Sequence, residues 1–199
     1  METIITIDDG HFLDLKVKSY LDRYNLKGLF FIPTNHIIER GDIRKISVDH
    51  EIGGHTTNHR VLTKLLDQQI EREVTLNLEY LEGITGKKIT KFAYPKGWYD
   101  ERVVDVIKKK CDLKECYTMK LGITNKCYNK LSLPRTFHVR PREEYKEDGL
   151  VLSAKKLYKH AREQREGYFN LCLHSWEVEK YDTWDELDQI LKFIKENEN

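Results

Sequence analysis

Residues 52–59 read Ile52-Gly53-Gly54-His55-Thr56-Thr57-Asn58-His59. Ahead of them Ile46, Val48 and Ile52 predict a short strand, and the two glycines let the backbone turn sharply where it ends. Behind them Val61, Leu62, Leu65 and Leu66 fall at helical spacing. Two imidazoles four positions apart then share one side of a helical turn and reach the same point in space. That point suits a metal ion. Spacing alone also allows two ordinary core or surface histidines. A strand giving way to a helix is where α/β proteins place their sites, so the flanking chain decides between the two.

Upstream, residues 3–7 are apolar and β-rich, as a strand covered on both faces should be. The run ends in Asp8, Asp9 and Gly10. Adjacent carboxylates at a buried strand end repel each other and are costly to desolvate unless a cation or proton compensates. Asp-Asp-Gly is equally a turn sequence. Leu13, Val17, Tyr20, Leu21 and Tyr24 predict a helix, 29–32 a second strand, and 35–40 a short helix stopped by Gly41.

Downstream, Ile70, Val74, Leu78 and Leu81 form one apolar stripe closed by Gly83 and Gly86. A strand over 89–94 runs into Tyr94-Pro95-Lys96-Gly97, a tight turn that can leave a main-chain N–H pointing outward. Asp100 is a helix cap ahead of Val103, Val104 and Ile107. Further strands are predicted at 116–119, 136–139 and 168–173, with a helix over 153–165. The last strand delivers His174, Ser175 and Trp176. Thr183 and Glu186 predict a capping box on a final helix whose inner face is Trp184, Leu187, Ile190, Leu191 and Ile194.

About seven strands alternating with helices imply an α/β fold with parallel strands and right-handed crossovers, as an open sheet or a barrel. The 199 residues suit one domain over 1–199. Asp8, Asp9, His55, His59, Pro95, Gly97, Arg135 and His174 all fall at or just past strand ends of one polarity, the face that carries function in such folds.

The 34 basic and 33 acidic residues leave a formal charge of +1, which argues against a nucleic-acid partner. Neither a signal-peptide pattern nor a run of ~20 apolar residues is present, so a cytoplasmic location without a transmembrane segment is expected. Cys111, Cys116, Cys127 and Cys172 contain no Cys-x-x-Cys unit and are expected as reduced thiols, with Cys172 in the core. No G-x-S-x-G elbow surrounds Ser175.

Taken in order, Thr6-Ile7-Asp8-Asp9-Gly10, His55-Thr56-Thr57-Asn58-His59, Phe92-Ala93-Tyr94-Pro95-Lys96-Gly97 and Leu171-Cys172-Leu173-His174 resemble the motifs of the polysaccharide deacetylase superfamily, carbohydrate esterase family 4 with its NodB-homology domain. The resemblance implies a distorted (β/α) barrel of about seven strands and one divalent metal held by Asp9, His55 and His59. Zinc is the first expectation; cobalt, nickel and manganese accept such donors too. It further implies Asp8 as catalytic base, His174 as the acid that protonates the leaving amine, and a backbone N–H near Lys96 facing the oxyanion. The substrate implied is an N-acetylated amino sugar in a glycan or glycan precursor. Tyr94, Trp98, Tyr99 and Trp176 are candidates for stacking on sugar rings, with Tyr94, Pro95, Lys96 and Trp176 as the expected substrate and oxyanion positions.

One position departs from the family pattern. Many members carry an arginine two residues before the motif proline, where this chain has Ala93. Arg135, after Leu133-Pro134, is the expected substitute for orienting Asp8. His11, His36, His50, His138 and His160 match no motif and read as ordinary histidines. Two other functions stay open: an amidase acting on a non-sugar N-acyl substrate, and a silent carbohydrate-binding member with Ala93 as its mark.

Overall fold

The structure is a computed structural model describing residues 1–35, 37–122, 129–164 and 168–198. Its strands are β1 (Glu2–Asp8), β2 (Leu29–Ile32), β3 (Glu51–Gly54), β4 (Lys91–Ala93), β5 (Glu115–Leu121), β6 (Leu133–Arg135), β7 (Phe137–His138) and β8 (Tyr168–Leu173). They form one parallel sheet in the order β6-β5-β4-β3-β2-β1-β8-β7. The two edge strands are separated by Thr136 alone. Leu133 pairs with Tyr117 on one side, and Phe137 pairs with Leu171 on the other. Thr136 N–H donates to the Asn170 carbonyl at 2.9 Å, so one run of chain joins both edges and the sheet closes as a seven-staved (β/α) barrel.

Around it lie α1 (Asp14–Arg23), α2 (Arg40–Asp49), α3 (Asp67–Thr85), α4 (Glu101–Lys110), α5 (Gly149–Glu163), α6 (Ser175–Lys180) and α7 (Trp184–Asn197). Strand alternation sorts the side chains into two layers. Ile5, Ile7, Phe30, Ile32, Phe92, Phe169 and Leu171 join the main core beneath the helices. Leu29, Phe31, Ala93 and Tyr117, with Ile4 and Leu133 against them, form a second, inner cluster. A Cβ on Gly53 would meet the Phe31 ring at 2.4 Å, so only glycine leaves room for that ring inside the barrel. Asp8 shares the parity of Ile4, His55 that of Gly53, and His174 that of Asn170 and Cys172. All three therefore emerge at the C-terminal mouth.

Several sequence expectations need correction. Ile46 and Val48 are not in a strand: α2 buries Ile43 and Ile46 on one helical face, Val48 is exposed, and the strand is only Glu51–Gly54. The short helix expected at 35–40 is displaced, helix α2 beginning at Arg40; His36 lies outside the described residues. After His59 a single turn at Leu62–Lys64 replaces the expected helix start, Leu66 is exposed, and α3 begins at Asp67. Gly83 lies within α3, while Gly86, at φ 68°, ends it. Val106 rather than Val104 completes the inner face of α4, whose Asp100 cap accepts from Val103 N–H at 2.8 Å as expected. The Thr183 capping box does not form: the Thr183 side chain is buried and turned toward the Val178 carbonyl at 3.5 Å, away from its own helix. Cys111, Cys116 and Cys172 are buried free thiols; Cys127 lies outside the described residues. Among the described residues no helix is long and apolar enough to cross a membrane.

Candidate active site

The barrel mouth opens into a cleft of about 350 Å³ lined by Asp8, Asp9, His55, His59, Lys96, Arg135 and His174, with Met119, Trp176 and further residues completing its wall. Asp9 follows β1 with φ 82°, in the left-handed region that aspartate tolerates better than most residues. That turn swings its carboxylate across the mouth while Asp8 stays buried. Asp9 Oδ1 lies 3.4 Å from His55 Nε2 and 3.3 Å from His59 Nε2.

The histidines do not meet on a helical turn. Residues 55–61 are a loop in which Thr56 and His59 take positive φ of 64° and 52°. Their side chains converge because the loop is tied down. Thr34 and Asn35 N–H groups bond the Thr56 and Thr57 carbonyls at 3.1 and 2.9 Å. Glu73 of α3 accepts from Asn58 N–H and Nδ2 at 2.9 and 2.8 Å. Buried Asn77 accepts from His55 N–H at 2.8 Å and donates to the Ile32 carbonyl at 3.0 Å. His55 Nδ1 donates to the Ala93 carbonyl at 2.7 Å, which leaves the Nε2 lone pair facing Asp9. One carboxylate and two imidazole nitrogens all lie within 4.8 Å of one another. That donor set suits a borderline divalent cation and leaves coordination positions for water and substrate. Burial would raise the Asp9 pKa, but His55 and His59 in their protonated forms, together with the His174 charge, hold the carboxyl far below the usual range.

Asp8 is buried, its Oδ1 has no partner, and burial raises its pKa against the partial counter-pull of His55 and His174. His174 presents Nε2 to the cleft, 3.8 Å from Asp9 Oδ2, while its Nδ1 sits 2.7 Å from Glu177 Oε2. Burial alone would lower the His174 pKa; the Glu177 hydrogen bond and the nearby Asp8 and Asp9 carboxylates outweigh it and leave it raised.

Two residues central to this arrangement were missed in the sequence. His138 Nε2 lies 2.8 Å from Glu177 Oε2, and its Nδ1 is 2.5 Å from Arg135 Nη1. A guanidinium only donates, so His138 accepts at Nδ1 and carries its proton on Nε2, pointing at Glu177. Burial lowers its pKa to about 4, consistent with a neutral ring. Glu177 also accepts from Arg140 Nη1 at 2.6 Å. Burial would raise its pKa, but the hydrogen bonds from His138 and His174 outweigh it and keep Glu177 ionised well below the ordinary glutamate range. The signal available for Glu177 was its spacing three residues after His174 on a helix. His138 had no local signal, because β6 and β7 place it beside His174 only through barrel closure.

The other expected positions separate. Arg135 is buried at the cleft, but it contacts His138 and no Arg135–Asp8 ion pair lies within 4 Å. Tyr94 is buried, donates to the Leu131 carbonyl at 2.8 Å and stacks on Tyr99, so it packs the wall. Pro95 is buried next to it. Lys96 and Gly97 take φ of 58° and 72°, and a Cβ on Gly97 would meet Met119 N at 2.4 Å. Trp176 is partly exposed at the rim, and its Nε1–H donates to Asp9 Oδ2 at 2.9 Å. Ser175 is buried and donates to Asp14 at 2.6 Å. It is not available as a nucleophile. Trp98 is exposed, and Tyr99 lies half-buried beside it.

A closed parallel α/β barrel whose mouth carries an Asp-His-His cluster between a buried aspartate and a carboxylate-held histidine defines the class. The particular family follows from comparison with known proteins: residues 2–114 match the polysaccharide deacetylase family model, and the chain belongs to that family. A Bacillus subtilis protein of undetermined function, YlxY, is 31% identical over 97 residues, which cover 48% of this chain and 30% of that protein. Chitin deacetylase 1 of Cryptococcus neoformans var. grubii is 28% identical over 103 residues, 50% of this chain and 22% of the relative. These matches therefore span less than a third of either curated relative. The crystal structure of a family 4 acetyl xylan esterase from Clostridium thermocellum, solved with a cobalt ion, covers this chain over 100% of its length and 85% of its own, with TM-score 0.71 and 18% identity.

Proposed function

We propose that the chain is a metal-dependent hydrolase that removes an N-acetyl group from an amino sugar in a glycan or glycan precursor. The observation that carries this reading is that Asp8 and His174 line the same cleft as the point where Asp9, His55 and His59 converge. Asp9, His55 and His59 would hold one divalent ion, zinc first and cobalt, nickel or manganese as alternatives. When bound, such an ion lowers the pKa of a water toward roughly 7 and polarises a carbonyl.

Asp8 takes the proton from the attacking water. Its unpartnered Oδ1 is free to accept it, and burial keeps the carboxyl basic enough to do so. A main-chain N–H near Lys96 would stabilise the developing oxyanion. His174 donates its Nε2 proton to the leaving nitrogen, and Glu177 holds the ring with its other proton on Nδ1. Arg135 acts through His138: by donating to Nδ1 it sends the His138 proton to Glu177. Water adds to the acyl carbon, the C–N bond breaks, and acetate and a free amine leave.

The test is acetate release from a panel of N-acetylhexosamine monomers and oligomers. Release should need added metal, stop on chelation, and vanish in Asp8→Asn with the metal retained. A second reading draws on Ala93, which is buried and offers its carbonyl to His55 where many members place an arginine. It makes the chain a carbohydrate binder without turnover. Stoichiometric glycan binding by the metal-loaded protein, with no acetate from any substrate, would establish it and refute the first.

A further inference from the structure

Arg135, Arg140, Arg142 and Lys96 all line the cleft, in a chain whose formal charge is only +1. We propose that these four cations form an anion subsite, which takes the acidic group, a carboxylate or a phosphate, of a sugar whose acetamide lies at the Asp9–His55–His59 point. The acetamide half rests on the deacetylase reading above; the anion half stands on the following observations.

Arg135 is 4% exposed, yet among the described residues no carboxylate lies within 4 Å of it. Its Nη1 meets His138 Nδ1 and, at 3.8 Å, Met119 Sδ, and its Nε is buried with no partner. Arginine keeps its charge in proteins, and a buried cation without a counter-ion is costly. Arg140 is placed otherwise, its side chain 37% exposed and its counter-ion Glu177 at 2.6 Å. Its Nη1 is used on Glu177 while its Nε is buried and unpartnered. Glu177 cannot neutralise both, because it already accepts from His138, His174 and Arg140.

Of the remaining cleft carboxylates, Asp9 faces His55 and His59, and Asp8 makes no ion pair with any of the four cations within 4 Å. Lys96 is exposed and makes no ion pair within 4 Å among the described residues. Arg142 is anchored from behind by Glu144 at 3.2 Å. Arg135 without a counter-ion, beside three further cations, suits the negative oxygens of a carboxylate or phosphate. A neutral sugar would leave the Arg135 charge uncompensated.

The experiment titrates the metal-loaded protein calorimetrically with inorganic phosphate and with glucuronate, in the wild type and in Arg142→Gln. In parallel it compares kcat/KM for acetate release from N-acetylglucosamine, N-acetylglucosamine 1-phosphate and N-acetylmuramic acid. At least one anion is expected to bind, with affinity falling about tenfold in Arg142→Gln, the size of one charge-assisted contact. The matching acidic sugar is expected to be preferred over the neutral one by a similar factor, and the preference to shrink in the variant. Which anion binds assigns the acid as carboxylate or phosphate.

Equal anion binding by wild type and variant would place the anion elsewhere and overturn the proposal, as would equal hydrolysis of neutral and acidic sugars. Should Arg142→Gln lose its native circular dichroism, Lys96→Gln takes its place. Anion binding that the substitution weakens, with no acetate from any sugar, would keep the subsite and sink the deacetylase reading. Acetate release with no anion effect would do the reverse.

Discussion

Replacing Glu177 by glutamine tests the acid side of the site without touching the Asp9–His55–His59 cluster. The Glu177 carboxylate accepts from His174 Nδ1 at 2.7 Å, His138 Nε2 at 2.8 Å and Arg140 Nη1 at 2.6 Å. Glutamine has one acceptor oxygen and one NH2 donor, so either the two imidazoles or Arg140 must face a donor. If the amide oxygen stays with the imidazoles, His174 keeps its orientation but loses the charge that favours its protonated form. A hydrogen bond to a charged partner contributes about 1.5–3 kcal/mol, equivalent to a roughly ten- to hundredfold change in the protonated population. The sign follows from the direction of the shift. Glu177 raises the His174 pKa, so the acid form survives to higher pH in the native protein.

Glu177→Gln should therefore move the alkaline limb of the pH–rate profile to lower pH. Acetate release above that limb should fall by roughly ten- to hundredfold, the size of the lost charge-assisted bond. The acid limb, set by Asp8, should stay. So should bound metal, read by emission spectroscopy. An alkaline limb that does not move, in a variant of unchanged circular dichroism, would refute the assignment of His174 as the acid held by Glu177.

Other perturbations separate the remaining parts. Trp176→Phe removes the N–H that holds Asp9 Oδ2 and should weaken metal affinity about 10- to 100-fold in a competition titration; an unchanged affinity would mean the contact plays no part in orienting Asp9. Gly97→Ala forces a Cβ against Met119 at a φ of 72° and should cost about 2–4 kcal/mol in urea denaturation, by overpacking plus left-handed strain. Burial raises the Asp14 pKa from 3.8 to about 8, with the Ser175 hydrogen bond opposing it. The raised value means that Asp14 contributes stability in full below 3.8 and loses it as the pH rises to about 8. Asp14→Asn should accordingly shrink the difference in denaturation midpoint between pH 5 and pH 8; an undiminished difference would point to other groups. Asn77→Ala strands the His55 N–H and the Ile32 carbonyl and should cost about 1–3 kcal/mol, with looser metal binding as its functional mark.

Periodicity at 168–173, and the turn chemistry after β1 and β4, place the functional residues at strand ends, because strand alternation and glycine turns are local properties of the chain. The same reading put His55 and His59 on a helical turn, an error of local logic. Four-residue spacing brings side chains together on a helix, but here a loop with two positive φ angles does it, held by Asn77 and Glu73 of α3. Ile46 and Val48 misled for a related reason, since a short apolar run does not declare its period until its partners are known.

By itself, then, the sequence determined the alternating α/β order, the polarity of the strands, and the family through four ordered motifs. Tertiary structure alone decided what surrounds the acid. Arg135 and His138 lie on the short run that closes the barrel, so their nearness to His174 and Glu177 depends on which two edges meet. Contacts across a closed sheet leave no spacing to read along the chain. They arise from shear and register, which only the folded barrel sets.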